Sequence, residues 1–189
     1  MCPPSARYAL LAAIGVLLPP DLARGQTLAE CPTPQIHSLE QLAGLSWSEL
    51  ETVYCSSSPG AIPAGYARGM PLYDPASSLT GLRTKVTRAL WRGKHFRCDG
   101  SLINQWCGLR AIRAEVYHGV SWLDGGPAVI MDYGKSSRVW ADVRDEVREV
   151  APGLFLGVMY KRRCPQPRLK MFFALDARSP TCHVLRFGE

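Results

Sequence analysis

Apolar positions recur at two different periods along this chain, and the change of period divides it. Trp47, Leu50, Val53 and Tyr54 repeat at helical spacing, and Ser46 with Glu49 has the Ser-x-x-Glu spacing of a capping box. A helix is therefore predicted from Trp47. The stretch from Pro59 to Pro75 is rich in Gly and Pro and reads as an extended, irregular connection. Leu82, Val86, Ala89 and Leu90 predict a short helix within 79–91.

Beyond Trp91 the pattern becomes that of strands. Lys94-His95-Phe96-Arg97 is a short candidate, and the stretch from Leu109 to Trp122 alternates, with Ile112, Ala114, Val116 and His118 toward one side. Asp124-Gly125-Gly126 tolerate positive φ and can close a hairpin onto 127–133 (PAVIMDY), a nearly continuous apolar run that predicts burial on both faces. A second hairpin is predicted from Leu154 to Lys161 and Leu169 to Leu175, joined across Cys164-Pro165-Gln166-Pro167. Between the hairpins, Ser137 to Val150 reads as an amphipathic helix, because ~100° per residue gathers Val139, Trp140, Val143, Val147 and Val150 on one face. Glu146 falls at the edge of that stripe. It is expected to be less exposed than Asp145 and Glu149, and a buried carboxylate needs a partner. Together these elements predict an α+β domain: an antiparallel sheet of five to seven strands packed against one amphipathic helix, with a helical N-terminal segment. A sheet so curved can close in part into a lipocalin-like barrel.

With 189 residues, 47% of them hydrophobic and 20% charged, the chain supports one sizeable core and is neither disordered nor fibrous. Arg7 followed by the apolar run from Tyr8 to Leu18, Pro19-Pro20, and the small residues Ala23 and Gly25 predict a secretory signal peptide over 1–25. The domain reading is then 1–25 signal peptide, 26–75 helical and irregular segment, and 76–189 the α+β domain, the last two forming one domain. No later run reaches the ~18 apolar residues of a membrane span. Removing 1–25 leaves Cys31, Cys55, Cys98, Cys107, Cys164 and Cys182, an even number that in an exported chain predicts disulfides. Sequence spacing leaves the connectivity open, with Cys98–Cys107, Cys31–Cys55 and Cys164–Cys182 the favoured pairs. The chain carries +6 at pH 7, but its basic residues are scattered and no nucleic-acid fingerprint accompanies them, so nucleic acid is not an expected partner.

The stretches Trp91-Arg92-Gly93-Lys94-His95-Phe96, Ser121 to Gly125, Asp132 to Tyr160 and Phe172 to Leu175 carry W-x-G-K-x-F, D-Y-x-x-[TS]-S, R-D-E-[IV]-R-E-V and P-G-[LF]-[YF]-L-G motifs. In these the chain resembles a family of uncharacterised bacterial secreted proteins. The resemblance implies a lipocalin-like domain over the C-terminal part and no particular reaction.

Candidate chemistry is sparse. Asp132, Asp145 and Glu146 form a carboxylate set suited to general acid–base work if one member is buried. Ser121, Ser136 and Ser137 near His118 lack a G-x-S-x-G elbow, and no C-x-x-C pair or clustered histidine suggests a metal. No cofactor is expected. The aromatic set Trp91, Phe96, Tyr117, Trp122, Tyr133, Phe155, Tyr160, Phe172 and Phe173 either fills a core or lines a cavity. The leading expectation is a periplasmic or secreted protein that binds a small, largely apolar ligand, with Arg144, Glu146 and Arg148 as polar contacts near the opening. The alternatives are a small hydrolase or isomerase using Glu146 and Asp132, and a structural module without catalysis.

Overall fold

The computed structural model describes residues 36–72 and 90–178. The signal-peptide reading, Cys31, Cys182 and nearly all of the helix predicted within 79–91 lie outside the described residues. The element order is α1 (Leu39–Ala43), α2 (Trp47–Ser56), β1 (Gly65–Leu72), β2 (Trp91–Phe96), β3 (Ser101–Trp106), β4 (Leu109–Val120), β5 (Pro127–Asp132), β6 (Val143–Ala151), β7 (Leu154–Lys161) and β8 (Arg168–Asp176). The eight strands run up and down in chain order, and β8 pairs antiparallel with β1 to close a barrel. Closure leaves no strand edge exposed to another chain.

The α+β expectation is corrected to a mostly β closed barrel with two short helices among the described residues, in two respects. The sheet has eight strands and is fully closed, rather than five to seven and partly closed. No amphipathic helix spans 137–150: residues 137–142 form a connection and 143–151 form strand β6. Val143, Asp145 and Val147 alternate into the barrel, while Arg144, Glu146 and Arg148 point outward and are nevertheless buried. A strand buried on both faces and polar on both shows no two-residue polarity alternation, so the spacing of its valines imitates a helical stripe. Two further strands hide in segments that read as connections. Glycines and Pro71 mask β1, and β3 occupies the stretch read as a turn between Cys98 and Cys107.

That placement overturns the favoured disulfide. Cys98 and Cys107 flank opposite ends of the six-residue β3, and Cys55, Cys98 and Cys107 are exposed free thiols. Six extended residues span ~20 Å, well beyond the ~7 Å that a disulfide tolerates between Cα atoms. Cys164 is exposed in the β7–β8 connection.

Inside the barrel, Phe96, Leu102, Val116, Val129, Phe155 and Leu175 fill the end formed by the β2–β3, β4–β5 and β6–β7 connections. Gly157 faces inward opposite Phe173, and a Cβ there would overlap the Phe173 ring. On the outside, α1 and α2 cover β1, β7 and β8 with Leu39, Leu42, Leu50, Val53 and Tyr54 against Leu72, Leu156, Val158 and Phe172. Trp47 meets Phe172 edge-on at 5.4 Å between ring centroids. Ser46 caps α2 as expected, in a reciprocal capping box with Glu49. No helix among the described residues is long and apolar enough to cross a membrane.

Candidate functional site

The other end of the barrel interior is open as a cavity of about 230 Å³, walled by Trp91, Trp106, Trp140, Met159, Met171 and Phe173. At its floor each of four strands or strand ends places one polar side chain on the core face: Lys94 from β2, Asn104 from β3, Tyr133 after β5 and Asp145 from β6. A bulge between Trp91 and Gly93 lets Trp91 and Lys94 both face inward. Gly93 is required there: its φ is +143°, and a Cβ would collide with the Ala67 carbonyl on β1.

The four groups form one network. The Lys94 ammonium donates to Asp145 Oδ2 at 2.8 Å, to the Tyr133 hydroxyl at 2.8 Å and to Asn104 Oδ1 at 3.0 Å. All three of its donors are used. Asn104 Oδ1 also accepts from Trp91 Nε1 at 3.2 Å, and Asn104 Nδ2 donates to the Tyr133 hydroxyl at 2.7 Å. Tyr133 donates in turn to Asp145 Oδ2 at 3.0 Å. Burial, reinforced by the Asp145 charge, pushes the Tyr133 phenol well above its ordinary value, so it stays protonated and remains a donor. The ammonium also lies 5.3 Å from the Phe173 ring centroid and 5.5 Å from those of Trp91 and Tyr133, within cation–π range. Lys94 and Asp145 are 2% and 5% exposed, so the pair has left water and depends on this network for solvation. Among the described residues, one acceptor is left over: Asp145 Oδ1 is buried and accepts no hydrogen bond.

Of the charged residues singled out from the sequence, Asp145 lies at the cavity, whereas Asp132, Arg144, Glu146 and Arg148 lie on the barrel's outer face. Glu146 is fully buried, accepting from Ser121 Oγ at 2.6 Å and from the Trp122 amide at 3.0 Å, with Tyr54 Oη and Arg144 Nη1 each at 3.4 Å. Arg144 stacks under the Trp122 ring, 4.0 Å from its centroid, and donates to the Val120 carbonyl. Arg148 makes a two-point bond to Asp124, both contacts at 2.7 Å, and caps α2 by donating to the Tyr54 and Cys55 carbonyls. Together these hold α2 and the β4–β5 connection against the barrel. Asp132, also outward, is tied to Arg162 at 2.8 Å and to the Gly134 amide at 2.7 Å. Burial would raise its carboxyl, but the Gly134 amide and Arg162 outweigh it and hold it below the ordinary carboxylate range. Glu146 is thus enclosed by protein partners and exposes no oxygen, and Asp132 is engaged by Arg162 and the Gly134 amide. Of the aromatic set, Trp91, Tyr133 and Phe173 line the cavity, while Trp122, Tyr160 and Phe172 lie outside the barrel and Tyr117 is exposed.

Sequence reasoning missed Lys94 and Asn104 and took Tyr133 only as an aromatic of the core or a cavity wall, although a signal for the polar cluster was present. Lys94 shares its strand face with Phe96, Asn104 falls between Leu102 and Trp106, and Asp145 falls between Val143 and Val147. A polar residue at a core-facing position of three separate strands marks a buried polar cluster. No group of three or more His, Cys, Asp or Glu side chains able to hold a metal occurs among the described residues.

No family model matches the chain, and no curated protein matches it. A crystal structure of a protein from Thermomonospora curvata is similar in fold, with a TM-score of 0.50 and 18% identity over 71% of this chain and 89% of that one. At that identity the likeness concerns the barrel architecture alone.

Proposed function

We propose that the protein binds a small, largely apolar ligand in the open end of the barrel, in the manner of lipocalin-like binding proteins. The observation that carries this reading is the cavity itself: three tryptophans, two methionines and Phe173 surround a space of about 230 Å³ over a single polar cluster. Small-molecule sites have this composition, an apolar wall with a few convergent polar groups. The Lys94–Asp145 pair is charge-neutral, with every Lys94 donor occupied, so the cluster orients a ligand instead of attacking it.

The test uses the neutral fluorophore N-phenyl-1-naphthylamine. Saturable, single-site fluorescence enhancement is expected. It should weaken at least tenfold in Val143→Trp, which fills the cavity wall, while circular dichroism shows the barrel intact. Unsaturable enhancement, or a folded Val143→Trp that binds as tightly as the parent, would overturn the reading. Native mass spectrometry of the purified protein then identifies any molecule that accompanies it.

A further inference from the structure

Two features coincide at the open end of the barrel. One is apolar. Leu109 is 69% exposed at the β3–β4 turn and Val139 is 84% exposed in the β5–β6 connection, the two most exposed large hydrophobics among the described residues. Both stand close to the cavity rim. Leu109 pairs with Trp106, Val139 precedes Trp140, and the Trp106 and Trp140 rings meet at 5.9 Å between centroids. Neither tip is loose. The β3–β4 turn has two residues, Cys107 and Gly108, both at positive φ, as a type I′ hairpin requires. The connection carrying Val139 is pinned by Trp140 N to Ser137 Oγ at 3.1 Å, by Arg162 Nη1 to the Ala141 carbonyl at 3.0 Å, and by Lys161 to Asp142 at 2.9 Å.

The other feature is charge. The connections at this end, 107–108, 133–142 and 162–167, contain four basic residues and one acidic residue, and Arg110, Lys161 and Arg168 lie on the adjoining strand ends. The acid, Asp142, is bonded to Lys161. Arg110, Lys135, Arg138, Arg163 and Arg168 are exposed. At the opposite end, segments 97–100, 121–126 and 152–153 contain one basic and two acidic residues. The charge of the described connections is thus concentrated around the cavity mouth.

We propose that this end of the barrel docks on an anionic lipid bilayer, with Leu109 and Val139 entering the interfacial layer and the surrounding Arg and Lys side chains facing acidic headgroups. Exposed aliphatic tips inside a basic ring match such a surface, where apolar insertion and electrostatic attraction act together. A nucleic acid would use the same cations but would present flexible bases to stacking aromatics, and the tryptophans here face the cavity. The inference does not depend on what the cavity holds.

Flotation of the full chain with lipid vesicles tests it. Binding is expected to vesicles containing phosphatidylglycerol, to weaken as salt rises, and to be absent with pure phosphatidylcholine. The Leu109→Ser/Val139→Ser pair should lower the vesicle-bound fraction at least tenfold without changing thermal unfolding, and Arg110→Glu/Arg138→Glu should do the same. Val120→Ser, at an exposed position of the opposite end, should bind like the parent. The proposal is overturned by equal flotation with neutral vesicles, by Leu109→Ser/Val139→Ser floating like the parent, or by Val120→Ser losing as much. Tighter binding to a single-stranded oligonucleotide, lost in the arginine variant and kept in the Leu109/Val139 variant, would assign the ring to nucleic acid instead.

Discussion

Lys94 is the residue on which the interior turns. A primary ammonium inside a barrel is tolerable because one carboxylate, one phenol and one amide meet its three protons within 3.0 Å. Removing only the carboxylate leaves a buried charge without compensation, which typically costs ~3–5 kcal/mol, whereas replacing both partners by apolar groups of similar volume is often close to neutral. Asp145→Leu should therefore destabilise the protein strongly in urea unfolding, and Lys94→Met/Asp145→Leu should recover most of that loss. Equal losses in the two variants would show that the network does not behave as a pair. Gly157 illustrates the opposite constraint, in which an absent side chain matters. Its inward face is occupied by the Phe173 ring, so Gly157→Ala should cost ~1–3 kcal/mol through overpacking, read as a lowered thermal midpoint. Cys98 and Cys107 are exposed on opposite ends of one strand, so both should react with iodoacetamide in the native protein. A mass two hydrogens low, with both positions unreactive, would restore the bridge rejected above.

Among the elements, α2 and β6 are bound to one another by polar contacts as much as by packing. The Ser46–Glu49 box starts α2, and Arg148 ends it by bonding its last carbonyls. A cation at that terminus also opposes the helix dipole. Ser46→Ala should cost ~1 kcal/mol, since it removes one cap and leaves the other. The clamp is pH-dependent through Asp124, whose carboxyl is held below its ordinary value of 3.8 chiefly by hydrogen bonding to Arg148. Asp176 is lowered in the same way by Arg178. For a carboxyl whose folded-state pKa is depressed, the stabilisation is complete above the unfolded-state value and is lost as pH falls through the folded one. Stability should thus decline below about pH 4, and Asp124→Asn should flatten that decline in acid-titrated urea unfolding. An identical acid profile in the variant would remove Asp124 from the account.

The barrel is asymmetric along its axis. One end is filled with aliphatic and aromatic side chains, and the other is a cavity ringed by cations and carrying two apolar tips. A closed barrel keeps this division rigid, because each strand is hydrogen-bonded on both sides. A ligand that enters only the folded barrel stabilises it by mass action, by ~2.7 kcal/mol at a hundred times its dissociation constant. Saturating N-phenyl-1-naphthylamine should accordingly raise the thermal midpoint of the parent and leave that of Val143→Trp unmoved.

Local chemistry determined much of this protein. The capping box at Ser46, the turn at Asp124-Gly125-Gly126 and the prolines between β7 and β8 each act through their own backbone neighbours, and so the second helix and two hairpins were legible from the sequence. What the sequence could not express was which faces the closed barrel would cover. Arg144, Glu146 and Arg148 are buried only because α2 and the β4–β5 connection lie over them, and their polarity disguised a strand as a helix. The cavity cluster is likewise a product of closure. Lys94, Asn104, Tyr133 and Asp145 come from four separate strands or strand ends, and only the curvature that joins β8 to β1 turns their shared face into one interior. Burial is a property of what surrounds a residue, and for these residues the surroundings are assembled from the whole barrel.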